Sequence, residues 1–224
     1  MPSAVSCGTI RRMSDEPRKP PAQDSPLSGA AIPLPIPLVV TQALALAERL
    51  GFDHSCTPEV GRLLATLAAT VAHGTVAEIG TGYGVGTAWI ASTLRPEVAL
   101  VTVEVDEDRA DAARQLLVPY PNVRVLHADW HALLPEGPFA LLFADGGRVK
   151  YHEPEATLVR AALAVGGMLV LDDLTPVGQW PAAWRGKPDP VRERWLQDPG
   201  LSALELQVSP THCVILATRT AGSP

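Results

Sequence analysis

Within residues 76–86, Val-Ala-Glu-Ile-Gly-Thr-Gly-Tyr-Gly-Val-Gly, an apolar run passes through one acid into glycines at every second position. The run has the composition of a buried strand, and the Thr87-Ala-Trp-Ile-Ala stretch behind it reads as a helix. Gly80, Gly82 and Gly84 permit a tight turn and a close ligand approach that a Cβ would obstruct, and they aim a helix N-terminus at the ligand. The spacing also restricts the ligand. A pyrophosphate-binding dinucleotide turn requires G-x-G-x-x-G, but counting from Gly80 puts Val85 in the last position and counting from Gly82 puts Thr87 there. Neither frame fits.

With 46% hydrophobic residues over 224, the chain can bury one substantial core, and its length fits one α/β domain. A formal charge of −6 and the lack of a long Lys/Arg run argue against nucleic acid as the partner and for a small molecule. Cys7, Cys56 and Cys213 lie far apart without a C-x-x-C pair, so neither a disulfide framework nor a zinc site is expected, and a reducing cytoplasm is the expected setting. No segment approaches the roughly 18 apolar residues of a membrane span, so no membrane partner is expected.

Residues 1–40 differ from the rest. Pro17, Pro20, Pro21, Pro26, Pro33, Pro35 and Pro37 exclude helix and central strand, which predicts a flexible arm before a domain over 41–224. Ile32 to Val40 is apolar enough to lie against the domain or a second subunit, which leaves a homodimer open. Met1 and Met13 are both open as the start. Helices are expected over Thr41–Leu50 and after Thr57-Pro58-Glu59. Strands follow at the glycine turn and at Ala99–Glu104, Val123–His127, Phe139–Ala144 and Met168–Leu171, with helices from Asp106 to Leu117 and over Glu153–Ala164. Ala203–Val208 and Cys213–Ala217, joined by Ser209-Pro-Thr-His212, read as a hairpin. The expected fold is α/β, Rossmann-like and doubly wound: a mostly parallel seven-stranded sheet with an antiparallel C-terminal hairpin and helices on both faces.

Ligands of such sheets lie outside the C-terminal strand ends, and here those ends are acidic. Glu104 closes the second strand 24 residues beyond Gly80, where a carboxylate can accept from both ribose hydroxyls. That position agrees equally with a dinucleotide site. The Glu78-x-Gly80-x-Gly82-x-Gly84 pattern resembles the first motif of class I S-adenosylmethionine-dependent methyltransferases. The resemblance implies S-adenosylmethionine as cofactor, held by Glu78, Gly80, Gly82, Tyr83, Gly84, Glu104 and Val105, by Asp129 and Trp130 at the adenine, and by Asp145 at the methionine end.

The resemblance extends to the cation-dependent O-methyltransferases of the catechol and caffeoyl-coenzyme A kind. These carry an acid after strand four, a lysine three and a tyrosine six residues later, and Asp-Asn after strand five. Asp145, Arg148, Tyr151 and Asp172-Asp173 occupy those positions. The resemblance implies Mg²⁺ or another divalent cation on Asp145, Asp172 and Asp173, with methyl transfer to a hydroxyl oxygen of a small acceptor. Arg148 can steady an oxyanion but cannot take a proton, so Lys150 stands as the substitute base, with a solvated loop residue as its alternative reading. Thr175 to Trp195, with Trp180, Trp184 and Trp195, reads as a substrate lid or as packing on the sheet edge. Three other functions stay open: a metal-independent methyltransferase acting on another atom, a nicotinamide-dependent oxidoreductase, and a cofactor-binding protein without catalysis.

Overall fold

Strands that are apolar on both faces need cover on both faces. The computed structural model describes residues 34–146 and 148–222, and the unit built on the sheet begins at Ile36. Residues 1–33 of the expected arm lie outside the described residues. Two helices come first, α1 (Leu38–Arg49) and α2 (Pro58–Thr70). Thr57 caps α2 by accepting from the Val60 amide at 3.4 Å, and Pro58 sits at the first turn, where its missing N–H leaves nothing unpaired. The first helix starts three residues before Thr41, because Val39 and Val40 bury their side chains in the core. Val39 and Val40, at the end of the expected arm, thus belong to the domain's own packing, whereas Leu38 is exposed.

The strands are β1 (Thr75–Ile79), β2 (Ala99–Glu104), β3 (Val123–His127), β4 (Phe139–Ala144), β5 (Leu163–Leu174), β6 (Leu201–Ser209) and β7 (His212–Arg219). Between them run α3 (Val85–Ala91), α4 (Glu107–Leu117), α5 (Glu153–Ala162) and α6 (Pro190–Leu196). Asp106 caps α4 by accepting from the Arg109 amide at 3.0 Å. The seven-stranded sheet has the order β3-β2-β1-β4-β5-β7-β6. The first five strands are parallel, and the β6–β7 hairpin adds the antiparallel pair at the edge, as expected.

Alternation along the strands separates two cores. Val76 and Leu141 face the layer of α1, α2, α3 and α4, whereas Ala77 and Leu142 face α5, α6 and a short 3₁₀ helix at Trp130–Glu136. α5 ends two residues before Ala164, and β5 begins at Leu163, earlier than Met168. Leu163 pairs with Phe139 and Met168 with Leu141, so Gly166-Gly167 is an irregularity inside the strand rather than a break before it. The chain moves from β1 outward to β3, then returns to β4 on the other side of β1. The crevice at that reversal, above the C-terminal ends of β1 and β4, is where such sheets bind ligands.

Candidate active site

A cavity of about 390 Å³ occupies this crevice. Gly80 ends β1 at φ +96°, and a Cβ there would lie 2.7 Å from the backbone of Gly146, so the turns after β1 and β4 touch only because both residues are glycine. The Gly82 amide donates to Glu104 Oε2 at 2.8 Å, and the Asp106 amide donates to Oε1 at 3.1 Å. Glu104 is thereby fixed in the cavity wall, with Val105 beside it. Arg109 places Nε 3.8 Å from Glu104 Oε1 and lays its guanidinium over the Phe52 ring at 5.4 Å.

Glu78 lies beneath this turn and does not line the cavity. Its Oε2 accepts from Thr102 Oγ1 at 2.7 Å and from Thr87 Oγ1, while Oε1 has no partner. A Cβ on Gly86 would overlap that oxygen. Burial pushes the carboxyl up to about 7 against the pull of the two hydroxyls. Tyr83 and Gly84 also face away from the cavity. Tyr83 packs edge-on to Phe52 at 5.4 Å, and Gly84 takes the left-handed N-cap position of α3 against α4. Ala128, Asp129 and Trp130 form the wall above β3. The Asp129 carboxylate accepts from the His131 ring and amide, which hold it below its ordinary range, while Trp130 is both wall and core.

The other end of the cavity concentrates carboxylates. Asp145 is half-buried after β4. Burial first, then the charges of Asp172, Asp173 and Glu78, push its carboxyl up to about 8. Asp172 ends the regular part of β5 and is 1% exposed. Its Oδ1 accepts from the Asp173 amide at 2.8 Å and faces His212 Nε2 at 2.9 Å, while its buried Oδ2 has no partner. Burial raises this carboxyl as well. Asp173 has φ +61°, the only positive φ of a non-glycine among the described residues, in the left-handed region that Asp tolerates better than most. Lys150 is buried, not solvated. Its Nζ donates to the Asp172 carbonyl at 2.7 Å and lies 3.5 Å from Asp173 Oδ2. Arg148 is exposed, and its guanidinium forms no hydrogen bond or ion pair among the described residues; only its carbonyl is engaged, accepting from the Tyr151 amide at 3.0 Å. The tightest donor group is Asp172, Asp173 and His212, whose ligand atoms lie within 4.8 Å of one another; Asp145 lies outside it. An unpartnered buried oxygen beside a second carboxylate fits a divalent cation.

A second cavity of about 320 Å³ adjoins the first, and Asp173 lines both. Tyr151, Trp180 and Trp184 give it aromatic walls. Trp180 and Trp184 meet edge to face at 6.4 Å. Arg192 adds no open charge, because Asp189 and both oxygens of Glu205 hold its guanidinium. Trp195 is not part of a cover: it is fully buried and donates Nε1 to the Lys150 carbonyl at 3.2 Å, anchoring the segment that carries the lysine. Sequence reasoning missed Phe52, Ser55 and Cys56, the α1–α2 connection that also lines the first cavity. Burial and the charges of Asp145 and Asp172 push the Cys56 thiol well above its ordinary range. Between two helices these residues carry no spacing signal, and His212 read only as a turn residue.

Residues 77–174 match the family model described as a methyltransferase domain. Over this segment the chain is similar to methyltransferase domains. The matched segment runs from β1 to the end of β5, so it contains both the glycine turn and the acidic cluster but not His212, Trp180, Trp184 or Trp195. A probable O-methyltransferase of Mycobacterium tuberculosis (strain H37Rv) is 41% identical over 122 residues, 51% of this chain and 54% of the relative. An O-methyltransferase from Bacillus cereus, solved in complex with SAH, superposes with a TM-score of 0.69 at 20% identity, covering 84% of this chain and 94% of that one. TomG from Streptomyces achromogenes, an O-methyltransferase solved in complex with SAM, gives 0.68 at 21%, covering 84% and 92%. The match spans about half the length of the mycobacterial relative. No helix among the described residues is long and apolar enough to cross a membrane.

Proposed function

We propose that the protein transfers a methyl group from S-adenosylmethionine to a hydroxyl oxygen of a small aromatic acceptor. The observation that carries this reading is that Asp173 lines both cavities, a nucleoside-sized crevice walled by Gly80, Glu104 and Asp129 and a pocket with aromatic walls. Glu104 would accept from the ribose hydroxyls, Asp129 from the adenine amine, and Trp130 would pack the base. Bound S-adenosylmethionine would supply a methyl on a sulfonium, and a divalent ion held by Asp172 and Asp173 would supply Lewis acidity toward the acceptor oxygens.

The protein's own residues do the rest. Tyr151, Trp180 and Trp184 hold the acceptor ring, and the cavity walls align its oxygen with the donor carbon. Lys150, anchored through Trp195, is the group placed to take the hydroxyl proton; the exposed Arg148 is not. Isothermal titration tests the cofactor, with SAM and SAH binding expected and tight NADH binding without either overturning the reading. Methylation of a 1,2-dihydroxyarene with and without excess chelator tests the acceptor and the ion. Ile36 and Leu38, exposed at the start of α1, support a contact with a second copy. Sedimentation of the full chain checks this, a monomer excluding it.

A further inference from the structure

We infer that His212 is a metal ligand which, with Asp172 and Asp173, makes this centre select a borderline transition ion over Mg²⁺. The inference deepens the proposed function, since it rests on the carboxylates holding a divalent ion there. His212 opens β7, and the pairing of Leu174 with Cys213 sets that strand end beside the end of β5. Nε2 lies 2.9 Å from Asp172 Oδ1 and 3.9 Å from Asp173 Oδ1. Donors about 2.1 Å from one ion stand roughly 3.0 Å apart when adjacent in an octahedron and roughly 4.2 Å when opposite. The two separations fall close to those values.

A set without an ion accounts for less. A hydrogen bond from His212 would satisfy Asp172 Oδ1, and Lys150 would face Asp173, but Asp172 Oδ2 stays buried without a partner in a residue 1% exposed. An orphaned carboxylate oxygen is costly, and an ion held by both oxygens of Asp172 would meet Oδ2 as well as Oδ1. The donor types then choose the ion. Mg²⁺ prefers oxygen and keeps its waters, whereas imidazole nitrogen favours the later divalent ions of the first transition row. Two carboxylates and one neutral imidazole leave positions open for the two oxygens of an acceptor.

The test titrates the full chain, with SAH present, with CoCl₂ and MgCl₂ by calorimetry, and records pulsed EPR of the MnCl₂-loaded protein for coupling to an imidazole nitrogen. We expect Co²⁺ to bind at least about tenfold tighter than Mg²⁺, and nitrogen coupling that disappears in His212→Ala and His212→Gln. Both variants should lose Co²⁺ affinity by about tenfold or more while keeping SAH affinity, which certifies their fold. Absence of nitrogen coupling, or a smaller loss in both variants, overturns the inference. Failure of the wild-type protein to bind SAH would instead overturn the methyltransferase reading, and the EPR result would still decide the role of His212.

Discussion

The two ends of the crevice are built differently. Around β1, β2 and β3 the walls are held by backbone amides: Gly82 and Asp106 donate to Glu104, and the turns at Gly80 and Gly146 touch without side chains between them. Around β4, β5 and β7 the wall residues Asp145 and Asp173 are backed by side chains brought from distant positions, with Lys150 reaching Asp172 and Asp173 and His212 reaching Asp172. The first end suits a ligand with fixed shape, the second a reaction in which protons and charge move. Mutations at the second end should therefore change turnover, and mutations at the first end should change cofactor affinity.

The largest expected effect is on chemistry. Lys150→Met removes the buried amine while keeping much of its packing, and kcat should fall by about 10²- to 10⁴-fold, the range for a lost general base. SAH affinity should stay within a factor of two. Equal losses in turnover and SAH affinity would show that Lys150 holds the cavity's shape, and the contrast between the two ends would fail. Arg148→Met, exposed and unengaged, serves as the comparison and should retain near-normal turnover.

Next comes the acid beneath the glycine turn. Glu78 is buried with its carboxyl raised to about 7 from 4.5, mainly by burial. Below pH 4.5 both folded and unfolded states hold this proton. As pH rises toward 7, the unfolded chain releases it first, so stability falls; above 7 both states are ionised and the slope from this group ends. Glu78→Gln lacks the effect. Its stability relative to wild type should rise from pH 5 to 7, by on the order of 3 kcal/mol at most, and level off by pH 8, with the Tm difference following the same course. A Tm difference that stays constant across this range would mean Glu78 is ionised throughout.

What the sequence made legible follows the same division. The glycine turn, Glu104, Asp129 and the hairpin are encoded by spacings of a few residues, and strand alternation located the sheet and both cores. Lys150, His212 and Cys56 join the site only through tertiary packing. Lys150 is held against the core by Trp195, 45 residues on, which donates to its carbonyl. His212 reaches Asp172 only because β7 runs antiparallel beside β5. No local pattern records either fact, and the tryptophans that read alike in the sequence divided into one core residue and two pocket walls.

At the amide-held end, Glu104→Ala should weaken SAM and SAH binding by about 1.5–3 kcal/mol, the range for hydrogen bonds to a charged group. Turnover at saturating cofactor should change little, since the proposed function gives Glu104 the ribose and leaves the acceptor and methyl to the other end of the crevice. Calorimetry and saturation kinetics separate the two. A lower kcat with unchanged affinity would place Glu104 in the wrong half of the comparison.

The smallest effect belongs to the acceptor pocket. Trp184 is 54% exposed and meets Trp180 edge to face, and its indole forms no hydrogen bond among the described residues, so its contribution is aromatic contact with whatever the pocket receives. Trp184→Ala should raise the acceptor KM by about 0.5–1.5 kcal/mol in equivalent free energy, the range for one aromatic pair. SAH affinity and Tm should remain those of wild type, because half the ring already faces water and the core reaches the lid through Trp195 instead. An unchanged KM across a panel of aromatic hydroxyl acceptors would exclude the second cavity as the acceptor site. A fall in Tm of several degrees would show that Trp184, like Trp195, is part of the packing.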